Sequence, residues 1–288
     1  MQNKIEFFLF NILSYFVTLF PLRVSRKLAS KLAFLFYHFI PLRKEVARKN
    51  LQFVFPKFDK KKLNEVLFKS YVNFFIVLIE IFYLRVIDTE SLKSMVRIKQ
   101  PELIHQCLKK NKGLMFLSAH FGNWEILAAS AALTIGIPYS IIVKPLRNPL
   151  VDKYINDMRC KWGNEVVRLG ISVKDIYREL LSKNIIALVA DQRAGEGSMK
   201  LPLFGKETSV FVGPATLSVK TGAPILIGLA VRQKDNFYEV DLVEIKADDN
   251  LSESDKIEQI TKSYLSVLED TIKKHPEQWL WFHDRWKH

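Results

Sequence analysis

From Gly113 onward, apolar runs too short for helices alternate with longer stretches of helical composition, and that alternation signals an α/β core. The run at residues 114–119 is bounded by Gly113 and by the polar turn 120–123, so it reads as a buried strand. Residues 124–133 then carry Ala, Leu and Ile with no breaker, and a helix takes over. Further strands are expected at 139–143, 166–167 and 185–190, the last a continuous apolar run and hence interior. Asn148 followed by Pro149 caps a helix running to Trp162, and Ser172 caps another running to Lys183. Gly213-Pro214 opens a helix that ends at Gly222. Residues 224–232 and 237–245 read as antiparallel strands joined by the turn 233–236, and 254–275 is a long helix.

Two of these strands deliver polar groups at their C-terminal ends, His120 on one and Asp191-Gln192 on the other. In open α/β sheets that edge is where ligands bind. His120 and Glu125 are five positions apart, which on a regular helix is about 500° and so roughly 140° off a shared face. They meet only if His120 sits on the strand end or loop and Glu125 in the first turn of the helix. A carboxylate on one ring nitrogen would then set the tautomer and leave the other nitrogen free to take a proton. The competing reading is a structural histidine hydrogen-bonded at a strand end.

The first third of the chain has a different character. The 288 residues carry a formal charge of +13, of which residues 1–100 hold +11 and residues 101–288 only +2. The same first hundred residues hold 15 of the 21 Phe and none of the 11 Gly. A nucleic-acid arm would be basic without so much hydrocarbon, so no nucleic-acid partner is expected. Helices that lie on or in an anionic membrane surface fit better; a helical subdomain with buried Phe and solvated Lys is the alternative. Residues 1–100 are therefore read as an N-terminal membrane-anchoring helical region and 101–288 as the α/β domain.

Residues 5–22 are apolar apart from Glu6 and a stripe of Asn11, Ser14 and Thr18. Eighteen residues reach about 27 Å, short of the ~30 Å hydrocarbon core, so spanning with thinning, partial entry and interfacial lying all stay open. Pro21, Arg23, Arg26 and Lys27 follow in place of a cleavage site, and the positive-inside rule keeps that cluster and the rest of the chain cytoplasmic. A second helix is expected at 28–40. Residues 71–84 are apolar around Glu80 and too short to span, hence buried or membrane-skimming. The two cysteines, Cys107 and Cys160, are too few for a disulfide scaffold.

The string HFGNWE at residues 120–125 resembles the H-x4-D/E box of the bacterial lipid A biosynthesis acyltransferases (the late, lauroyl- and myristoyl-type enzymes), within the glycerolipid acyltransferase superfamily. The resemblance extends to RKEVARKNLQFVFP at 43–56, ADQ at 190–192, PLFG at 202–205, VGPATLSVKTGAPILI at 212–227 and PEQWLWFHDRW at 276–286. It implies an α/β fold with a mixed central β-sheet flanked by helices, glycerolipid acyltransferase-like, behind the basic N-terminal helical region. It implies transfer of a fatty acyl chain from acyl carrier protein, or coenzyme A, to a hydroxyl of a lipid A precursor or related glycolipid. The setting would be the cytoplasmic side of the bacterial inner membrane. A lysophospholipid or other glycolipid acyltransferase, and a non-catalytic membrane-binding protein of the same fold, are the alternatives.

By the same resemblance His120 is the general base and Glu125 orients and charge-stabilises it. Arg159 would contact acceptor phosphate or the oxyanion, or else serve only as a helix C-terminal cation. Asp191 and Gln192 would hold the catalytic face or the acceptor, and Lys144 stands where relatives often have arginine, keeping charge but losing bidentate contact. Gly122 and Asn123 supply loop N–H groups beside a helix start, a candidate oxyanion site. No cofactor is expected beyond the acyl thioester co-substrate. Ser118 lacks a nucleophile elbow, and His105, His120 and Glu125 fit no standard zinc spacing. The tryptophans of the tail either pack as a strand or seat at lipid headgroups.

Overall fold

The computed structural model describes residues 1–168, 173–195 and 197–287. Four helices come first: α1 (Gln2–Thr18), α2 (Leu22–His38), α3 (Lys44–Val54) and α4 (Lys60–Tyr83). Next are α5 (Thr89–Ser94), β1 (Val96–Ile98), α6 (Glu102–Lys109), β2 (Leu114–Ser118), α7 (Trp124–Ile135), β3 (Ser140–Val143) and α8 (Pro149–Cys160). β4 (Glu165–Arg168), α9 (Val173–Leu181), β5 (Ile185–Val189), β6 (Lys200–Leu203), β7 (Lys206–Ser209) and α10 (Gly213–Thr221) follow. The chain then forms β8 (Ile225–Gly228), β9 (Val231–Arg232), β10 (Tyr238–Val240), β11 (Leu242–Ile245) and α11 (Glu253–Lys274).

Among the described residues the central sheet has six strands in the order β11-β8-β2-β5-β3-β4. β2 pairs in parallel with both β5 and β8, whereas β11 runs antiparallel to β8, so the sheet is mixed. Alternation along β2 serves its two faces: Met115 and Leu117 enter one buried cluster, Leu114 and Phe116 the other. Both clusters also take residues of α4, so the basic first third and the α/β part share their packing across residue 100. β1 reinforces this, since it pairs in parallel with β10.

Most expected elements are present within a few residues of their expected ends. The pair read at 224–232 and 237–245 is more divided than expected. β8 and β11 belong to the central sheet, while β9 and β10 turn away and join β1 in a separate three-stranded sheet. The hairpin β6–β7, around a turn at Phe204 and Gly205, is a further pair. Ser172, expected to cap α9, lies outside the described residues. Asn148 does cap α8, accepting from the Leu150 N–H at 3.1 Å with Pro149 at the first helical position.

The N-terminal helices are packed unevenly. α4, 24 residues long, is apolar enough to cross a membrane, yet 72% of its most apolar window is buried inside the protein, where it acts as the core helix. α1 stops at Thr18, and Pro21 stands at the N-cap of α2, so the apolar stretch 5–22 is not one helix. The polar stripe of α1 faces inward: Ser14 is 2% exposed and hydrogen-bonds the Tyr154 hydroxyl of α8 at 2.6 Å. Its apolar side faces outward, with Phe8 63% and Tyr15 69% exposed. α2 inserts Ser25, Ala29 and Ala33 toward the body, small residues that allow close approach, and leaves Phe34 and Leu35 outside. Of the large hydrophobic side chains exposed among the described residues, 16 of 22 lie in residues 1–42.

Candidate active site

β2 and β5 are parallel and in register, with Leu117 beside Leu188 and Ser118 beside Val189. Two residues beyond each pair, the chains present His120 and Asp191. His120 Nδ1 lies 2.8 Å from Asp191 Oδ1, and the other carboxylate oxygen accepts the indole N–H of Trp279 at 2.9 Å. Asp191 is 4% exposed, so both its oxygens are committed inside the protein. The carboxylate selects the tautomer with the proton on Nδ1 and leaves the lone pair on Nε2. Gln192 brings its amide nitrogen to 3.4 Å from that Nε2, and being exposed it is displaceable.

Burial alone would hold the His120 imidazole neutral, but the charge of Asp191 and its hydrogen bond outweigh it and raise the pKa above the ordinary 6.5. Glu125 adds to the rise and Arg159 opposes it. Burial likewise pushes the Asp191 carboxyl up, and the His120 charge, its hydrogen bond and Trp279 together hold it below the ordinary 3.8. Both groups therefore favour their charged forms when paired.

The expected pairing of His120 with Glu125 is replaced by this one. Glu125 opens α7, and its side chain points to α8, where Arg159 donates from Nε to Oε2 at 2.9 Å and from Nη2 to Oε1 at 2.5 Å. Trp124 links the two pairs: its ring meets the imidazole edge-on at 4.8 Å between centroids, and its N–H donates to Glu125 Oε1 at 3.2 Å. Glu125 thus reaches His120 through its field and through Trp124, with no direct hydrogen bond among the described residues. Arg159 also donates to Asn156 at 2.8 Å, so its donors serve the protein's own side chains.

The loop residues are more structural than expected. Gly122 donates its N–H to the Gln278 carbonyl at 2.9 Å, which takes it away from any oxyanion. A Cβ there would sit 1.6 Å from the Ala230 carbonyl oxygen, and φ is +54°, so only glycine fits. Asn123 is fully buried; its Oδ1 caps α7 by accepting from the N–H groups of Glu125 and Ile126, and its Nδ2 donates to Glu80. Lys144 follows β3 exposed and makes no hydrogen bond or ion pair among the described residues.

Sequence reasoning missed three contributors. Trp279 holds Asp191, and the tail it belongs to packs inside: Trp279, Trp281 and Trp286 are all buried. Asn50 of α3 ties that tail down, donating to the carbonyls of Trp281 and His283 at 2.8 Å each. Glu80 receives the Asn123 amide. The first two stood inside strings that resemble family motifs; the third was visible only as a lone acid in an apolar helix.

His120 opens on a small cleft with room for little more than a water molecule, its walls mostly apolar (Phe74, Val77, Trp124, Leu280 and Phe282) with Ser70, Asn73 and Gln278 among them. An imidazole with a carboxylate behind it and a free lone pair beside an apolar cleft is equipped to take a proton from a hydroxyl. Burial raises both thiol pKa values, so neither cysteine is a thiolate at neutral pH.

Comparison with known proteins identifies the family of the chain. Residues 1–288 match the family described as bacterial lipid A biosynthesis acyltransferase. A lipid A biosynthesis acyltransferase of Haemophilus influenzae is 26% identical over 263 residues, covering 91% of this chain and 81% of that protein. The lipid A biosynthesis palmitoleoyltransferase of Escherichia coli K12 is 22% identical, covering 86% and 80%. A phosphatidylinositol mannoside acyltransferase of Mycolicibacterium smegmatis is 23% identical over 150 residues, about half of each chain. With the family matched along its whole length, this chain belongs to the bacterial lipid A biosynthesis acyltransferases and is an acyltransferase of lipid A biosynthesis.

Proposed function

We propose that the protein moves a fatty acyl chain from an acyl carrier protein thioester, or from coenzyme A, to a hydroxyl of a lipid A precursor, with His120 as general base. The acceptor oxygen attacks the thioester carbonyl carbon while its proton passes to His120 Nε2. The tetrahedral intermediate collapses with loss of the C–S bond, and the leaving thiolate recovers the proton from the imidazolium. Asp191 supplies the countercharge while the imidazole is protonated, and the Glu125–Arg159 pair, through Trp124, holds the ring in place. The observation that carries this reading is the His120–Asp191–Trp279 relay, with His120 lining a small, mostly apolar cleft.

The acceptor and the donor's acyl chain are membrane-compatible, and the N-terminal helices supply a matching surface. The outward apolar face of α1 and α2, with the basic residues of the first third, supports seating on the cytoplasmic face of an anionic inner membrane. α1, at 17 residues, extends about 26 Å and fits partial or interfacial insertion.

The test incubates purified protein with carrier-protein and coenzyme A thioesters of different chain length and with lipid A precursor, lysophospholipid and phosphatidylinositol mannoside acceptors. Mass gain on the lipid A precursor is expected, abolished in His120→Ala, which still binds vesicles. Transfer that survives His120→Ala, or that goes only to another acceptor, overturns the reading.

A further inference from the structure

The core helix α4 carries one fully buried acid, Glu80, and all its partners come from other elements. Arg26 of α2 donates from Nε to Oε1 at 2.7 Å and brings Nη2 to 2.6 Å from the same oxygen. Oε2 accepts from the Tyr238 hydroxyl of β10 at 2.6 Å and from Asn123 Nδ2 at 2.7 Å. Removing a carboxylate from water costs several kcal/mol, and apolar packing of the same volume is often as stable as a buried ion pair. What such a pair provides that hydrocarbon does not is direction.

Here the direction is set at the loop between His120 and Glu125. Three consecutive residues of that loop are pinned to three different parts of the molecule. Phe121 bridges to Trp279, Gly122 to Gln278 and Ala230, and Asn123 to Glu80. Only the third tie is made by a side chain that also starts a helix. Asn123 Oδ1 closes the first turn of α7, so wherever Glu80 holds the amide, α7 begins there, and Trp124 and Glu125 follow.

We propose that Glu80 is a positioning residue for the acyl-transfer site: through Asn123 it sets the start of α7 relative to His120. Through Arg26 it makes that setting depend on α2 being seated. Neither Glu80 nor Asn123 touches the reacting atoms. The proposal rests on the functional reading above, and it goes further by tying the helical hairpin that carries the exposed apolar face to the geometry of the imidazole's neighbours.

The experiment is a swap of the two side chains in the full-length protein. Asn123→Asp keeps the cap, since Asp and Asn are equally good N-caps, but it sets a carboxylate against Glu80. Turnover is expected to fall roughly 10- to 100-fold, with the KM for the acyl thioester within about twofold. Backbone amides 124–127 exchange faster. Adding Glu80→Gln returns a donor to the contact, and the double variant recovers turnover to within about threefold and restores slow exchange, a non-additivity expected of touching groups.

Effects that multiply, with exchange at 124–127 unmoved, overturn the proposal. If Asn123→Asp alone does not fold, the double variant decides: folded and active supports it, unfolded or inactive overturns it. Hydrogen exchange reads the linkage without any substrate. A protein that transfers no acyl group therefore refutes the functional reading while leaving this linkage to be judged on its own.

Discussion

Asp191 meets His120 at 2.8 Å across 71 residues of sequence because two parallel strands end level with each other. No turn chemistry brings them together; the pairing of β2 with β5 does. That makes Asp191 the side chain whose loss most directly changes the imidazole.

Asp191→Asn keeps the shape and removes the countercharge. Turnover is expected to drop by about 10²–10⁴-fold, measured by single-turnover transfer from a radiolabelled thioester. A drop of less than about threefold would show that Glu125 alone suffices.

The pH dependence follows from the same pair. A general base works only when neutral, and Asp191 raises the His120 pKa above 6.5, so the rate falls on the acid side with a midpoint above 6.5. In Asp191→Asn burial dominates and the midpoint moves to lower pH. The signs for stability are opposite for the two groups. His120, raised, contributes fully below its unfolded value and loses that contribution as pH rises through the folded pKa; Asp191, depressed, contributes above its unfolded value and loses it as pH falls through the folded pKa. Urea midpoints across pH are thus highest between the ordinary values of 3.8 and 6.5, and this dependence is weaker in Asp191→Asn.

Arg159→Ala leaves Glu125 buried without its partner. The expected loss is roughly 3–5 kcal/mol of unfolding free energy, read by urea denaturation. Arg159→Met combined with Glu125→Leu is expected to lose less than Arg159→Ala alone, because no charge is then stranded. Equal losses would mean that the pair contributes only packing.

Gly122→Ala drives a methyl into the Ala230 carbonyl. Overpacking costs about 1–3 kcal/mol where neighbours can yield; here the neighbour is main chain, so a loss at or above that range is expected in thermal melts. A neutral variant would show that the loop between His120 and Glu125 has slack.

Phe8→Ser and Leu9→Ser are expected to leave the melting temperature unchanged, since both side chains are largely exposed. Each should weaken binding to anionic vesicles by roughly 10- to 100-fold, given about 1.5–3 kcal/mol for burying such a side chain and about 1.4 kcal/mol per factor of ten. Flotation with liposomes reads this directly. Undiminished binding would move the membrane contact elsewhere.

Much of this was legible in the sequence. The strands at 114–119 and 185–190 announce themselves by apolar runs that end in His120 and Asp191; the breaker-free run 124–133 places α7, and the Asn148-Pro149 cap places α8 closely. What a single sequence does not carry is which strands lie side by side. Nothing local says that β5 rather than β3 flanks β2, so the sequence points from His120 to Glu125, its neighbour along the chain, and gives Asp191, its neighbour in space, only a supporting role. The polar stripe of α1 was legible as a face but not its orientation, because inward Ser14 depends on a tyrosine 140 residues away. Trp279 and Glu80 share this obstacle: both act through long-range hydrogen bonds that leave no periodic trace.

Trp279 completes the relay from a position 88 residues downstream of Asp191. A ribosome adding about 5–20 residues per second needs roughly 4–18 s to cover that interval. For that time the nascent polypeptide already displays its greasy leading helices, while the aspartate still lacks its indole clasp. On the membrane seating proposed above, those helices would meet a bilayer before the relay of His120, Asp191 and Trp279 is assembled.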